Sequence, residues 1–245
     1  MNILNNGLIG TLANSNQIST EGLPYYAIIA LAVIAAAVIS YLLGSVSSAI
    51  IVSKLLYKED IRTHGSGNAG LTNMLRTYGK GAAALTLVGD MAKTALAILF
   101  TALIFGFSYK NGISLSGICY LAGLCAVLGH VYPIFYGFKG GKGVLVTATM
   151  ARILCPAIFG ALITLFIIIV AISGYVSLGS IIVASLFPVC VCLYSYFLGG
   201  HIPALSAVCT IFLGAFIVWC HRSNIKRLRD GNEKKISIGK KEKRG

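Results

Sequence analysis

Apolar residues fall along this chain in long runs, at 24–53, 82–106, 114–136, 143–173, 181–198 and 203–220. Short segments rich in glycine and basic residues separate them. A bilayer crossing needs roughly 20 apolar residues. Backbone groups in hydrocarbon must be paired within their own segment, so the runs predict helices. None alternates apolar and polar with the period of two that a membrane barrel requires. The run at 143–173 fits poorly as one element, because at about 1.5 Å per residue it would be ~46 Å long. Pro156 lies within it and would break or kink a helix there.

The distribution of basic residues arbitrates. Lys54, Lys58, Arg62, Arg76 and Lys80 lie between the first two runs, Lys139 and Lys142 precede the fourth, and ten more Lys and Arg follow residue 220. Cytoplasmic segments collect Lys and Arg. An even number of spans must then separate 142 from 221, and splitting the fourth run near Pro156 gives four. The pattern therefore predicts an all-α integral membrane protein with seven transmembrane helices, the N-terminus outside and the C-terminus cytoplasmic. Residues 1–22 form an extracytoplasmic extension, 23–228 the membrane domain and 229–245 a basic cytoplasmic tail.

Composition agrees. The 245 residues are 57% hydrophobic and only 11% charged, with a mean hydropathy of +0.85, which excludes an ordinary soluble domain and a disordered chain. Lys and Arg number 20 against 7 acids, a net charge of +13, so anionic partners are expected, either lipid headgroups or a phosphorylated ligand. The basic residues sit between membrane segments, which argues against nucleic acid. The seven cysteines contain no CxxC pair and lie in or beside apolar runs, as free thiols do.

Three polar patches carry the candidate chemistry. The first runs Gly65-Ser66-Gly67-Asn68-Ala69-Gly70-Leu71-Thr72-Asn73-Met74-Leu75-Arg76. Its G-x-G-x-x-G spacing would signal a dinucleotide only after a strand, and a membrane helix precedes it. A glycine loop entering a helix still offers backbone N–H groups to an anion, and Ser66, Thr72, Asn73 and Arg76 add side-chain donors. The second patch is Gly129-His130-Val131-Tyr132-Pro133 followed by Phe138-Lys139-Gly140-Gly141-Lys142-Gly143. It lacks the first glycine and final hydroxyl of a Walker motif, yet two lysines among glycines suit an anion cradle. In the third, His221, Asn224 and Arg227 recur every three residues and share one helical stripe. Asp90 and Lys93 lie inside the second run, where ionisable groups are costly and functional by default. Ser177 and Ser180 follow Tyr175-Val176 in a loop on the same predicted face. No histidine is followed five residues later by Asp, and there is no GxSxG elbow or metal-ligand cluster.

With these motifs in order (GSGNAGLTN at 65–73, GHVYPIFYGFKGGKG at 129–143, HRSNIKRL at 221–228, then Gly231 and Glu233) the chain resembles the bacterial acyl-phosphate:glycerol-3-phosphate acyltransferases, the PlsY family, over roughly residues 24–233. The resemblance implies acyl transfer from acyl phosphate to the 1-hydroxyl of glycerol 3-phosphate, giving lysophosphatidic acid and phosphate. It implies a catalytic set of Ser66, Arg76, Lys142, His221 and Asn224. Substrate would be bound by Gly65, Gly67, Asn68, Thr72, Asn73, His130, Lys139, Gly140, Gly141, Ser177, Ser180 and Arg227, with Asp90 and Lys93 in support. No cofactor and no metal are expected, and the partners are the two substrates and membrane lipids, for a monomer in the cell membrane facing the cytoplasm. Leu71 replaces the usual Ala of the first motif, and Gly174 stands where the family often carries Arg.

An acyl phosphate is already activated, so the protein need only screen two phosphates, orient a hydroxyl and stabilise the tetrahedral charge. His130 or His221 could accept the proton, or the substrate phosphate could, the route the resemblance favours. A transporter of phosphorylated metabolites is the alternative, and it requires polar residues through the bilayer midplane. The topology is checked by labelling single cysteines in intact cells: position 110 should react with an impermeant reagent from outside, and positions in the tail should not.

Overall fold

The computed structural model describes residues 3–15, 22–107, 109–110, 113–114, 116–199 and 203–236. The chain forms helices α1 (Ile3–Asn14), α2 (Leu23–Ser45), α3 (Ser48–Tyr57), α4 (Leu71–Tyr78), α5 (Lys80–Phe105) and α6 (Gly117–Val131). Then follow α7 (Val144–Leu154), α8 (Pro156–Ser173), α9 (Val176–Tyr194), α10 (Ala204–Cys220) and α11 (Arg222–Arg229). A two-residue antiparallel pairing of β1 (Tyr109–Lys110) with β2 (Ile113–Ser114) turns the chain between α5 and α6.

Among the described residues, five segments are long and apolar enough to cross a membrane: Leu23–Tyr57, Lys80–Phe105, Gly117–Tyr136, Pro156–Ser173 and Val176–Leu198. The pair α10 and α11, bent by 52°, makes a sixth when the two are counted as one span. The run at 143–173 breaks at Cys155, and Pro156 opens α8, where a missing N–H leaves no helical bond unmade. The 11-residue α7 is about 16 Å long, roughly half the hydrocarbon thickness. By length alone it is no full span, so the count of seven does not follow from these helices. The apolar pattern also gave no sign of α1, which bends at Gly7 (φ 69). A Cβ there would collide with backbone of Ile104, Phe105 and Gly106 at the end of α5. The tail lysines beyond residue 236 lie outside the described residues.

The bundle closes most tightly between α2 and α6. A Cβ on Gly44 would enter the backbone of Ala126, and one on Gly129 the carbonyl of Tyr41. The two helices therefore touch backbone to backbone, the approach small residues permit in membranes. Tyr41 Oη donates to the Tyr132 carbonyl at 2.8 Å and pins the same contact. Tyr120, Val127, Met150, Leu154, Leu213 and Ile217 fill the interior behind it. Leu23 and Ile172, each 83% exposed, point outward into what a bilayer would cover. Thr86, Thr94 and Thr101 return their hydroxyls to carbonyls four residues back, which pairs these polar groups within α5.

Gly129→Val should lower the melting temperature of the detergent-solubilised protein, as overpacking of about 1–3 kcal/mol dictates. Gly160→Ala, at a helical position with open space around the Cβ, should leave it unchanged or raise it slightly. Equal melting temperatures for the two variants would contradict the packing described.

Candidate active site

The loop between α3 and α4 is organised by one buried amide. Asn73 accepts from the Ser66 backbone N–H at 3.0 Å through Oδ1. Its Nδ2 faces the carbonyls of His64 at 3.0 Å, Asn68 at 3.1 Å and Ile61 at 3.3 Å. Gly65, at φ 62, packs so closely that a Cβ would strike Asn73 Oδ1. The Asn73 side chain is therefore spent on shaping the loop, and its expected part as a substrate donor gives way to positioning Ser66. Arg62, outside the predicted set, ties this loop to the next by donating Nη1 to the carbonyls of Tyr136 at 2.7 Å and Lys139 at 3.3 Å. Asp60 holds its other face through hydrogen bonds at 2.8 and 3.0 Å, and these keep the Asp60 carboxyl below its ordinary pKa.

In the second loop the glycines serve closeness. Gly140 N–H donates to Val131 O and Gly141 N–H to His130 O, both at 3.1 Å. A Cβ on Gly140 would strike the His130 carbonyl, and one on Gly141 the His130 ring. Two amides expected to cradle an anion are thus already engaged. Gly140, Gly141 and Lys93 stand behind the wall of the cavity described below, and the exposed Gly67 and Lys139 stand apart from it. Lys142 does enter the cavity, where it donates to Asn224 Oδ1. Burial, reinforced by the charge of Arg227, lowers its pKa to about 8.

The third patch begins at the bend after α10. His221 Nδ1 lies 2.8 Å from the Ile217 carbonyl. A carbonyl only accepts, so Nδ1 carries the proton and Nε2 presents a lone pair. Asn224 Nδ2 and Ser177 Oγ both donate to Glu233 Oε1, at 2.6 and 2.7 Å, and Arg227 Nε donates to Oε2 at 2.7 Å. Burial alone would raise the Glu233 carboxyl, but these hydrogen bonds outweigh it and hold the pKa below its usual value. Glu233 was not among the expected site residues, although it is one of only seven acids and directly follows the third motif. Beyond it the Ile236 N–H donates to Gly174 O at 2.8 Å, and Lys235 Nζ stands 5.4 Å from the Tyr175 ring. Ser180 returns its hydroxyl to Val176 O.

These elements enclose a cavity of about 690 Å³. One end gathers Gly65, Ser66, Asn68, Thr72, Asn73, Arg76, Asp90, His130 and Lys142 with Ser177, Ser180, His221, Asn224, Arg227 and Glu233. The other end runs between α7, α8 and α9 and is walled by Leu145, Ala148, Phe159, Leu162, Phe166 and Phe187. All five residues expected to carry the chemistry therefore line a single cavity. Its two ends suit a molecule with anionic phosphate at one end and a hydrocarbon chain at the other.

Residues 34–231 match the family described as glycerol-3-phosphate acyltransferase. The chain is 41% identical over 203 residues to the glycerol-3-phosphate acyltransferase of Clostridioides difficile strain 630, covering 82% of this chain and 93% of that protein. It is 43% identical over 200 residues to that of Syntrophomonas wolfei, covering 82% and 95%. Among solved structures it is similar to PlsY (YgiH), an integral membrane glycerol 3-phosphate acyltransferase, in its glycerol 3-phosphate form, with a TM-score of 0.71 and 32% identity over 84% of this chain and 96% of that one. The lysophosphatidic acid form of the same enzyme gives a TM-score of 0.68 at 31% identity, over 84% and 95%. A match of this extent, with the three motifs brought to one cavity, means that the chain belongs to the glycerol-3-phosphate acyltransferase family.

Proposed function

We propose that this protein transfers a fatty acyl group from acyl phosphate to the 1-hydroxyl of glycerol 3-phosphate, giving lysophosphatidic acid and inorganic phosphate for phospholipid synthesis. The observation that carries the reading is the two-ended cavity, cationic where the loops meet and apolar between α7, α8 and α9. The relatives' glycerol 3-phosphate and lysophosphatidic acid forms support the acceptor and the product.

Glycerol 3-phosphate and the phosphate end of the donor lie among Arg76, Lys142, Ser66 and Thr72, and the acyl chain extends toward Phe159 and Phe166. The acceptor hydroxyl oxygen bonds to the acyl carbon, the bond from that carbon to the phosphate oxygen breaks, and phosphate leaves with the electron pair. The hydroxyl proton passes to a phosphate oxygen, so no protein nucleophile is needed. Cations and fixed donors lower the barrier by meeting charge as it develops. His221 Nε2, whose lone pair is free to accept, offers a second route for the proton. The deep end of the cavity is apolar, which disfavours a through-path for phosphorylated metabolites.

We read α7 as a short seventh span, with the N-terminus outside and the cavity mouth facing the cytoplasm, in a monomer of the cell membrane. The parity of basic segments supports that orientation.

Purified protein given acyl phosphate and labelled glycerol 3-phosphate should release lysophosphatidic acid, and acyl-CoA should not replace the donor. Flux of label into proteoliposomes without product would favour the transporter. A second expectation follows from Lys142, whose charge is complete well below its pKa of about 8 and is lost as pH rises through that value. KM for glycerol 3-phosphate should therefore climb above pH 8 in the wild type and stay flatter in Lys142→Arg, which remains charged. A wild-type KM that is constant from about pH 7 to 9.5, where an ammonium of this pKa would discharge, would count against Lys142 as a phosphate ligand.

A further inference from the structure

Three ionisable side chains are buried together at the polar wall of the cavity. Asp90 is 1% exposed, and Lys93 and His130 are 5% exposed each. Lys93 Nζ lies 2.8 Å from Asp90 Oδ1, 2.7 Å from the Val46 carbonyl and 3.1 Å from His130 Nδ1. An ammonium has three protons and no lone pair, and here three acceptors surround it. Asp90 beside it favours the charged lysine, and a charged imidazole would stand against that ammonium at contact distance. His130 Nδ1 must therefore offer its lone pair to Lys93, and a neutral imidazole then carries its proton on Nε2.

That N–H is directed away from the ion pair. Nε2 packs against the backbone of Gly141, where a Cβ would collide with it, with the Ala69 carbonyl close by. Asp90 and His130 both line the cavity, whereas Lys93 does not. His221 has the opposite arrangement, with its proton on the inward Nδ1. The two histidines of the cavity thus present opposite hydrogen-bonding faces, one donating and one accepting.

We infer that the Asp90–Lys93 pair fixes His130 as a neutral Nε2–H donor to a phosphate oxygen of the substrate, held in the cavity that His130 lines with Ser66, Asn68 and Lys142. The expectation that His130 could serve as a base is thereby reversed, because its one lone pair is occupied. Asp90 and Lys93 are positioning residues acting through the ring. The inference rests on the proposed acyl transfer for its ligand, but the tautomer itself does not depend on that reaction.

The test uses the full-length protein in detergent or nanodiscs. His130→Leu removes the donor, and His130→Gln keeps an N–H at the end of the side chain and a carbonyl oxygen for Lys93. His130→Leu should raise the KM of one substrate by about tenfold or more, the usual weight of a hydrogen bond to a charged group. His130→Gln should recover to within about threefold of the wild type on that scale. Which KM moves, that of glycerol 3-phosphate or of acyl phosphate, identifies whose phosphate is held. Nitrogen-15 spectra of histidine-labelled wild type should show His130 protonated on Nε2 and His221 on Nδ1, and Lys93→Met should erase the preference at His130. Equal defects in the Gln and Leu variants, or a wild-type His130 protonated on Nδ1, would overturn the inference. Absence of acyl transfer by the wild type would instead remove the proposed reaction and leave the tautomer measurement standing.

Discussion

The cavity mouth depends on a single carboxylate. Arg76, Lys142 and Arg227 all line the cavity, and the like charge of Arg227 bears on Lys142, a repulsion. Glu233 answers that repulsion by accepting hydrogen bonds from Arg227, Asn224 and Ser177. These three residues belong to α11 and α9, so the carboxylate also joins the tail to two helices. Asn224 is oriented as a consequence, since its amide nitrogen faces Glu233 and its oxygen is left for Lys142. Truncating Glu233 leaves all three donors without this acceptor, and an unsatisfied buried group costs more than the net worth of the bond itself.

The same logic separates residues that hold the loops from residues that can meet a ligand. Asn73, Arg62, Gly140 and Gly141 have their hydrogen-bonding capacity or their space committed to other parts of the protein. Ser66, Arg76, Lys142 and His221 are held by that framework and keep groups turned to the cavity. A site built in this way has little reorganisation left to do when charge develops, and that is the main electrostatic advantage of an enzyme interior over water.

Much of this was legible in the sequence because membranes impose simple rules. Apolar runs had to become helices, the proline at 156 had to interrupt one, and basic loops had to share a face. The motifs therefore met, as their spacing along alternate connections required. Less legible was whatever depends on which partner a polar atom finds. Lys139 and Lys142 are equivalent by spacing, yet one is in solvent and the other in the cavity. The glycines at 140 and 141 look like an anion loop, but their amides are consumed by the end of α6. Glu233 sits in an ordinary basic tail by composition, and although it follows the third motif, its partners are known only from the return of that tail over α9. The short α1 was hidden because it mixes apolar residues with Asn and Thr, and no hydrophobic count records its close backbone approach at Gly7.

Gly174 caps the C-terminus of α8 and leads into α9. Its backbone is left-handed, at φ 76, and the space a side chain would need is occupied by the stem of Lys235. A positive group thus reaches the turn between α8 and α9 from the far end of the polypeptide instead of from the turn itself. The tail and this turn therefore constrain each other: a side chain at 174 would have to displace the Lys235 stem, and with it disturb the bond from Ile236 N–H to the Gly174 carbonyl.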